Sequence, residues 1–253
     1  MDLQLSGRRA LVTGGTRGIG RATVEAFADE GAHVAFCARD EAEITATQES
    51  LSGRGGSVSG SVVDVGDGRR LTQWVTDSAE SLGGIDIVVS NVSALAISES
   101  EDSWQRSFEV DLMGAVRMVT AAMPHLEASD AAVIIAVSSV SGREVDFAAG
   151  PYGTMKAALV HYIQGVAYQH AGKGIRANTV SPGNTFFEGG VWDQTQRGNP
   201  ELYESALALN PTGRMGTPQE MARAVVFLAS PVSSFTSGTN LVVDGALTRG
   251  VQL

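Results

Sequence analysis

The stretch that decides the fold is Ala10-Leu11-Val12-Thr13-Gly14-Gly15-Thr16-Arg17-Gly18-Ile19-Gly20, which lies close to the N-terminus. Residues 9–13 predict a buried strand, and a helical pattern over residues 18–30 follows the glycine-rich turn at once. Glycines in such a turn let the backbone approach a pyrophosphate, whose charge is favoured by N–H groups at the helix N-terminus. A tight turn also needs glycines for its own conformation, so the stretch alone leaves both explanations open. Its spacing is neither GxGxxG nor GxxxxGKS/T, which removes the main support for a kinase or an ATPase.

Short β-branched runs alternate with longer helical patterns from one end of the chain to the other. Strict alternation of strand and helix predicts βαβ units and a parallel sheet with helices on both faces. Continuous apolar strands are typical of burial on both faces. There is no internal repeat and no Pro/Ser-rich linker, and we therefore predict one domain over residues 1–253. The strands are predicted at 9–13, 33–37, 58–63, 85–90, 132–137, 176–180 and 240–243, and the helices at 18–30, 41–51, 68–82, 104–126, 152–171 and 218–229.

One segment breaks this alternation. Residues 184–210 have no strand pattern, but they contain Phe186, Phe187, Trp192 and Tyr203 together with Gly189-Gly190. A surface excursion with a short helix at 201–209 is one explanation. Loops of this length in compact domains are usually functional or disordered, so we favour a substrate lid.

The composition argues against several classes of function. The 253 residues carry 18 Lys+Arg against 28 Asp+Glu, a formal net charge of −10, which opposes binding to nucleic acid or to an anionic membrane. The single cysteine, Cys37, excludes an internal disulfide, and the four histidines lack metal-ligand spacing, so we predict no metal site. The N-terminus lacks the apolar stretch of a signal peptide. The longest apolar run, residues 131–137, is far shorter than the roughly 20 residues of a membrane span, and we predict a soluble cytoplasmic protein.

Motifs along nearly the whole chain resemble, in order, those of the classical short-chain dehydrogenase/reductase family. They are TGxxxGxG at residues 13–20, Asp64-Val65, Ser139, YxxxK at residues 152–156, Ser181-Pro182-Gly183 and Val243-Asp244-Gly245. Many similar family members are 3-oxoacyl-carrier-protein reductases. The resemblance implies a single-domain, Rossmann-type α/β fold, with a doubly wound parallel sheet of about seven strands. It also implies an NADP(H)-dependent oxidoreductase that interconverts a ketone or aldehyde and an alcohol.

The resemblance assigns roles to particular residues. Ser139 would polarise and position the substrate oxygen, Tyr152 would be the general acid/base, and Lys156 would assist Tyr152 and hold the nicotinamide ribose. Asp111 stands where the family usually has the Asn of a catalytic tetrad, and we include it among the catalytic candidates. The implied cofactor-binding residues are Gly14, Thr16, Arg17, Gly18, Ile19, Arg39, Asp64, Val65, Asn91, Tyr152, Lys156, Pro182, Gly183 and Thr185.

The chemistry of Tyr152 and Lys156 supports these roles. Residues four apart share one face of a helix and can act on one ligand. A tyrosine with a pKa near 10 is a poor acid or base at neutral pH. A neighbouring ammonium favours the phenolate and lowers that pKa toward the range useful for proton transfer. Taken singly, Tyr152 and Lys156 are explained by an exposed helix face, and Ser139 is explained by a cap at the end of a strand. The occurrence of all three residues in this order favours catalysis.

The end of the second strand favours NADP(H) over NAD(H). In this fold an acidic residue there holds the ribose hydroxyls of NAD, whereas an arginine accommodates the 2′-phosphate of NADP. Here the strand ends Cys37-Ala38-Arg39, and Arg17 lies within the glycine turn. A guanidinium engages a phosphate bidentately, so two arginines suit this group. The alternative is that both are solvated arginines and that Asp40 neutralises Arg39.

Three positions depart from the family pattern. Residues 90–93 read Ser-Asn-Val-Ser instead of NNAG, Asp111 replaces an Asn, and Phe187 stands where a Thr is common. Asp111 offers the same carbonyl oxygen as an Asn, but its charge also allows a pair with Lys156. The backbone at Thr185 remains available to a nicotinamide carboxamide.

Other functions and the choice of substrate stay open at this point. An NADP(H)-binding redox sensor with little or no turnover would use the same glycine turn, but it needs no proton donor. A serine hydrolase lacks both a GxSxG elbow and an evident His partner. The acidic chain disfavours an acidic carrier protein and favours a free carbonyl or alcohol, with Phe186, Phe187 and Trp192 as its apolar wall. The resemblance also implies a homo-oligomer, either a tetramer or a dimer.

Overall fold

A computed structural model describes residues 2–250, so Met1 and residues 251–253, at the ends of the predicted domain, lie outside the described residues. Seven strands pair in parallel in one sheet, and their order confirms the predicted doubly wound, Rossmann-type arrangement. The strands are β1 (Arg9–Thr13), β2 (His33–Ala38), β3 (Val58–Val62), β4 (Ile87–Ser90), β5 (Val133–Val137), β6 (Arg176–Pro182) and β7 (Asn240–Val243). Their order across the sheet is β3-β2-β1-β4-β5-β6-β7.

Helices cover both faces of this sheet, and each face has its own apolar core. The helices are α1 (Gly18–Asp29), α2 (Glu41–Leu51), α3 (Gly68–Leu82), α4 (Glu101–Ser107), α5 (Gly114–Glu127), α6 (Pro151–His170), α7 (Val191–Gly198), α8 (Pro200–Ala208) and α9 (Pro218–Ala229). Apolar residues of α3, α5 and α6 pack on one face of the sheet. Those of α1, α2 and α9 pack on the other. Alternate strand residues serve the two cores, as Leu11 and Val12 do, because successive side chains of a strand point to opposite faces.

The strand order reverses beside β1. Leu11 of β1 pairs with Ala35 of β2 on one side and with Val88 of β4 on the other. Ligands of open α/β sheets bind outside the carboxyl ends of the strands at such a reversal. The glycine turn follows β1 and Asn91 follows β4, so both lie at this crevice.

A partly buried ion pair lies at the opposite end of the same strands, between Arg9 at the start of β1 and Asp86 just before β4. The Arg9 guanidinium lies 2.6 Å from Asp86 Oδ1, and the Arg9 Nε and backbone N–H both donate to Oδ2 at 2.9 Å. Burial alone would raise the pKa of Asp86, but hydrogen bonds from Arg9 and Ser129 outweigh burial and hold this pKa below its ordinary value.

The helix predicted over residues 104–126 is instead three consecutive pieces. Between α4 and α5 the chain makes a π-helical turn, Phe108–Met113. Such a turn inserts an extra residue into the helix and is frequent at functional sites. It contains Asp111, the one buried residue of the turn.

Two further elements differ from the sequence-based prediction. The edge strand β3, Val-Ser-Gly-Ser-Val, contains three exposed residues, because it has a neighbouring strand on one side only and carries small side chains. In the segment 184–210, helix α8 matches the predicted short helix, but α7 is an additional helix. Its sequence, VWDQTQRG, has few apolar residues, so no helical periodicity of apolar residues predicts it.

Candidate active site

The glycine turn contains positions at which the backbone conformation or a close neighbour disfavours any side chain. Gly14 and Gly18 have φ values of 72° and 56°, in the left-handed region that favours glycine. A β-carbon at Gly20 would overlap the carbonyl oxygen of Gly14, so the start of α1 lies directly against the turn. Arg17 precedes α1 without a side-chain hydrogen bond to its first N–H groups. A close backbone approach and an N-terminus without a side-chain cap both fit a pyrophosphate.

Asn91 holds the turn in place across β1 and β4. Its backbone N–H donates to Thr13 Oγ1 at 2.9 Å, and its Nδ2 donates to the Thr13 carbonyl oxygen at 3.0 Å. The retained Asn of the altered motif therefore fixes the carboxyl end of β1. Asn91 entered the sequence analysis as a cofactor contact, and in the structure its side-chain amide bonds the turn itself.

The two arginines lie at the end of the crevice where β2 finishes. Arg17 and Arg39 are both exposed, and within residues 2–250 neither has a carboxylate within ion-pair distance. Asp40 instead begins α2, where its side chain accepts the Glu43 N–H at 2.9 Å. Thr16 Oγ1 donates to Glu43 Oε2 at 2.7 Å, which ties the glycine turn to α2.

Asp64 and Val65 follow β3 at the same edge of the sheet. The exposed Asp64 carboxylate accepts the Gly66 N–H at 2.9 Å and so closes its own turn. Val65 is buried and packs against Gly114 at the start of α5. Ile19, in the first turn of α1, packs against the core on the other face.

Tyr152 and Lys156 lie on the first turns of α6, and their relation is the predicted one. The Lys156 side chain is 2% exposed, and its Nζ lies 5.7 Å from the centre of the Tyr152 ring. Nζ donates to the Val137 carbonyl oxygen at 3.1 Å, at the end of β5. Ser138 Oγ donates to the Lys156 carbonyl oxygen at 2.9 Å, so the same strand end also fixes the helix backbone.

Asp111 forms a buried ion pair with Lys156. The Lys156 Nζ lies 3.2 Å from Asp111 Oδ1, and both side chains are almost completely buried. Oδ1 accepts no well-aligned hydrogen bond from any residue between 2 and 250, so the attraction is chiefly electrostatic. The other oxygen, Oδ2, accepts the Ala94 N–H at 3.2 Å. The structure thus brings Asp111 to the predicted site as a charged partner of Lys156.

Ser139 is buried just beyond β5. Its Oγ accepts the Ser141 N–H at 3.2 Å and begins a short 3₁₀ turn, Val140–Gly142. Because that bond uses an oxygen lone pair, the Ser139 hydroxyl proton can be donated elsewhere. Ser139 can therefore cap this turn and still donate a hydrogen bond to a substrate oxygen.

The residues after β6 form the remaining wall of the crevice. Pro182 ends the strand, and the Gly183 N–H donates to the Val243 carbonyl oxygen at 3.0 Å. Gly183 lies against Asp244, where a β-carbon would be 2.7 Å from the Asp244 Cβ. Thr185 Oγ1 donates to the Gly183 carbonyl oxygen at 3.0 Å, so this side chain bonds its own segment.

The three aromatic residues proposed as a substrate wall point in different directions. Phe186 packs against Tyr203 inside the segment, with ring centres 6.2 Å apart. Phe187 lies against Gly18 of the glycine turn. Trp192 meets Phe147, from the loop before α6, at 5.9 Å. Each ring thus has a different neighbour, and a common apolar wall for the substrate stays a prediction.

Two other classes of chemistry find no support in the described part of the chain. Burial raises the pKa of the Cys37 thiol to about 12, so it is a poor nucleophile near neutral pH. Within residues 2–250, no three His, Cys, Asp or Glu side chains are grouped closely enough to hold a metal ion. Over the same residues, every helix is too short or too polar to cross a bilayer.

Comparison with known proteins identifies the family of the chain. A family model described as Enoyl-(Acyl carrier protein) reductase matches residues 14–248. The chain is 41% identical over 257 residues to isoepoxydon dehydrogenase of Penicillium expansum, which covers 98% of this chain and 97% of that protein. The chain belongs to the short-chain dehydrogenase/reductase family. The predicted family is thereby confirmed, and the protein is an oxidoreductase.

Other relatives of this short-chain dehydrogenase/reductase have different substrates in their names. A 3-oxoacyl-acyl-carrier-protein reductase of Chlamydia pneumoniae is 34% identical over 252 residues, which cover 98% of this chain and 100% of that one. The crystal structure of L-sorbose reductase from Gluconobacter frateurii, complexed with NADPH and L-sorbose, superposes with a TM-score of 0.91. Its identity is 28%, over 99% of this chain and 100% of that one.

Two residues that the sequence analysis did not single out contact predicted residues of this short-chain dehydrogenase/reductase, Thr16 and Trp192. Glu43 reaches the glycine turn from α2, and its only sequence signal is a position four residues after Arg39. Phe147 lies in the interval between Ser139 and Tyr152 and is 64% exposed. The one sequence signal for Phe147 is therefore its place in the short interval between two catalytic candidates.

Proposed function

We propose that the protein is an NADP(H)-dependent oxidoreductase that interconverts a ketone or aldehyde and an alcohol, with Tyr152 as general acid/base. The observation that carries this proposal is the buried ammonium of Lys156, held by Asp111 and by the Val137 carbonyl oxygen beside the Tyr152 ring. An ammonium is taken out of water only where partners compensate for the lost hydration. Its position behind a tyrosine at the carboxyl edge of the sheet suits proton transfer.

Each side chain then has a distinct part in the reaction. When bound, the nicotinamide supplies or accepts the hydride. Tyr152 delivers a proton to the carbonyl oxygen during reduction and takes it back from the alcohol during oxidation. Ser139 donates its hydroxyl proton in a hydrogen bond to the same oxygen. That proton is available because the Ser141 N–H uses only a lone pair of the Ser139 oxygen. Lys156 supplies positive charge behind Tyr152 and holds the nicotinamide ribose.

The preference for NADP(H) over NAD(H) rests on Arg17 and Arg39. Both side chains are exposed beside the turn that fits a pyrophosphate, and Asp40 is engaged at the start of α2 instead of neutralising Arg39. The carboxylate of Glu43, the acidic residue that reaches the glycine turn, accepts a hydrogen bond from Thr16. The NADPH complex of the related L-sorbose reductase supports the same choice.

We further propose a free small molecule as the substrate. The net charge of −10 opposes the approach of an acidic carrier protein. Relatives named for isoepoxydon and for L-sorbose support this substrate class, whereas the 3-oxoacyl-acyl-carrier-protein reductase supports the other. Reduction of free ketones and of their carrier-bound counterparts at equal concentration distinguishes the two.

The first experiment is a titration with NADPH and NADH side by side, followed by the fluorescence of the bound nicotinamide. Arg39→Ala and Arg17→Ala are expected to weaken NADPH binding roughly 10- to 100-fold, the value of a charge-assisted hydrogen bond, and to leave NADH binding little changed. Arg69→Ala, an exposed arginine on α3, is the matched control. Equal loss for both dinucleotides would contradict the assignment of the 2′-phosphate site.

Tyr152→Phe separates an enzyme from a redox sensor. It is expected to keep NADPH binding and to lose turnover by about 10²- to 10⁴-fold, because it removes the proton donor and little else. A Tyr152→Phe variant that reduces every substrate as fast as the parent would refute the mechanism. Binding of NADPH by the parent, without turnover on any carbonyl, would favour the sensor.

We also propose a homo-oligomer. Tyr168 on α6 is 89% exposed, and Phe235 is fully exposed on the loop before β7. Large apolar side chains in such positions are typical of surfaces that bind another protein. Sedimentation equilibrium of the parent and of Phe235→Ser tests this proposal, since a monomeric parent would exclude it.

A further inference from the structure

The ring of Phe187 fills the space left by the missing side chain of Gly18. A β-carbon built at Gly18 would lie 2.6 Å from Cζ and 2.9 Å from Cε1 of this ring. One built at Gly190 would lie 2.8 Å from the same two atoms. The ring is therefore held between the glycine turn and the residue that precedes α7.

The backbone around Phe187 is anchored on both sides. The Phe186 N–H donates to the Gly216 carbonyl oxygen at 2.9 Å, and the Gly190 N–H donates to the Phe187 carbonyl oxygen at 3.0 Å. Phe186 itself is packed against Tyr203 within the segment. The two backbone hydrogen bonds hold the main chain of Phe187, and its ring lies against Gly18.

The same space is the one that a pyrophosphate needs. A glycine at this place in the turn lets a phosphate approach the backbone and the first N–H groups of α1, because no β-carbon intervenes. An aromatic ring in contact with Gly18 covers this approach and has no charge to offer to an anion. The ring and the phosphate therefore compete for one surface of Gly18.

We propose that Phe187 belongs to the cofactor site, where its ring covers Gly18 and must swing away before NADP(H) can bind fully. This inference rests on the proposed NADP(H) dependence. We call this contact the Phe187 gate. Gly189, with a φ of 73°, and Gly190 follow directly, and glycines tolerate the backbone changes that such a movement requires.

The gate has a measurable consequence for affinity. If binding requires a conformation in which the ring has left Gly18, the apparent affinity equals the intrinsic affinity multiplied by the fraction of molecules in that conformation. A gate closed in about nine of ten molecules weakens binding roughly tenfold, and its removal restores that factor. Arg17 and Arg39, which would hold the adenosine end of the cofactor, are both exposed, so this ring does not cover them.

The test uses two probes on the purified full-length protein. NADPH association is followed by stopped-flow fluorescence, and binding of adenosine 2′-monophosphate, which carries the 2′-phosphate but no phosphate on its 5′ side, is followed by calorimetry. Phe187→Ala and Phe187→Thr are expected to bind NADPH faster and roughly tenfold more tightly. Both should bind the monophosphate like the parent. Phe186→Leu, which changes the adjacent ring but not the contact with Gly18, should match the parent with both probes.

Several results would overturn the gate. Unchanged NADPH association in both Phe187 variants would show that the ring does not limit binding. Faster dissociation at an unchanged association rate would make Phe187 an ordinary contact with the bound cofactor. An equal gain for the monophosphate would indicate a general loosening of the segment. If the parent binds neither probe, the proposed NADP(H) dependence itself fails, which distinguishes the two failures.

Discussion

Replacement of Asp111 by alanine is expected to destabilise the protein strongly. The change leaves the ammonium of Lys156, which is 2% exposed, with the Val137 carbonyl oxygen as its remaining partner from the contacts described above. It also removes the acceptor of the Ala94 N–H. Loss of one member of a buried ion pair costs about 3–5 kcal/mol, because the other charge stays buried without compensation. For a chain of this length that corresponds to a fall in Tm of about 6–20 °C.

The assay is thermal unfolding of the parent, Asp111→Ala, Asp111→Asn, Lys156→Met and the double variant Asp111→Ala/Lys156→Met at pH 7. Asp111→Asn keeps a carbonyl oxygen for the Ala94 N–H and removes only the charge, so its loss should be smaller than that of Asp111→Ala. The double variant removes both charges, so it should be more stable than the sum of the two single losses predicts.

Two results would refute this reasoning. A fall in Tm of less than about 3 °C for Asp111→Ala would mean that the pair is solvated or unimportant to stability. Additive losses in the double variant would mean that the two charges do not interact, despite the 3.2 Å between Lys156 Nζ and Asp111 Oδ1.

Three further predictions concern other parts of the molecule. Gly20→Ala should lower stability by about 1–3 kcal/mol and abolish NADPH binding, because the new β-carbon overlaps a carbonyl oxygen of the turn. The pKa of Asp86 is below its ordinary value because its hydrogen bonds with Arg9 outweigh burial, so this pair stabilises the fold above about pH 4 and stops doing so as pH falls through the folded pKa. Asp86→Asn should therefore lower Tm most near pH 7 and least in acid. Phe147→Ala, which removes the aromatic contact with Trp192, should raise KM for an apolar ketone more than it lowers kcat.

Each of these predictions has a control variant or a result that would contradict it. Val145→Ala, on the same loop as Phe147 but 95% exposed, should leave KM unchanged. A Gly20→Ala variant that folds and binds NADPH like the parent would contradict the close packing of the turn. A Tm difference between Asp86→Asn and the parent that is independent of pH would show that the carboxylate charge plays no part.

Much of the fold could be predicted because its signals are local. The run at residues 9–13, the glycines that follow it and the alternation of apolar and helical patterns each depend on near neighbours in sequence. Connections between parallel strands in one sheet are almost always right-handed, so alternation alone leaves few topologies. The spacing of Tyr152 and Lys156 likewise fixed their common helix face before any tertiary contact was known.

The apolar and helical patterns, the glycine turn and the ordered motifs thus predict the doubly wound sheet, the family and the candidate catalytic residues. The burial of Asp111 as the charged partner of Lys156 depends instead on the packed fold, in which Asp111 is the buried residue of a π-helical turn. The contact of Phe187 with Gly18 depends on it as well. These residues are far apart along the chain, and their contacts depend on where separate strands and helices end relative to one another. No local pattern records that information, since it arises only when the elements pack together.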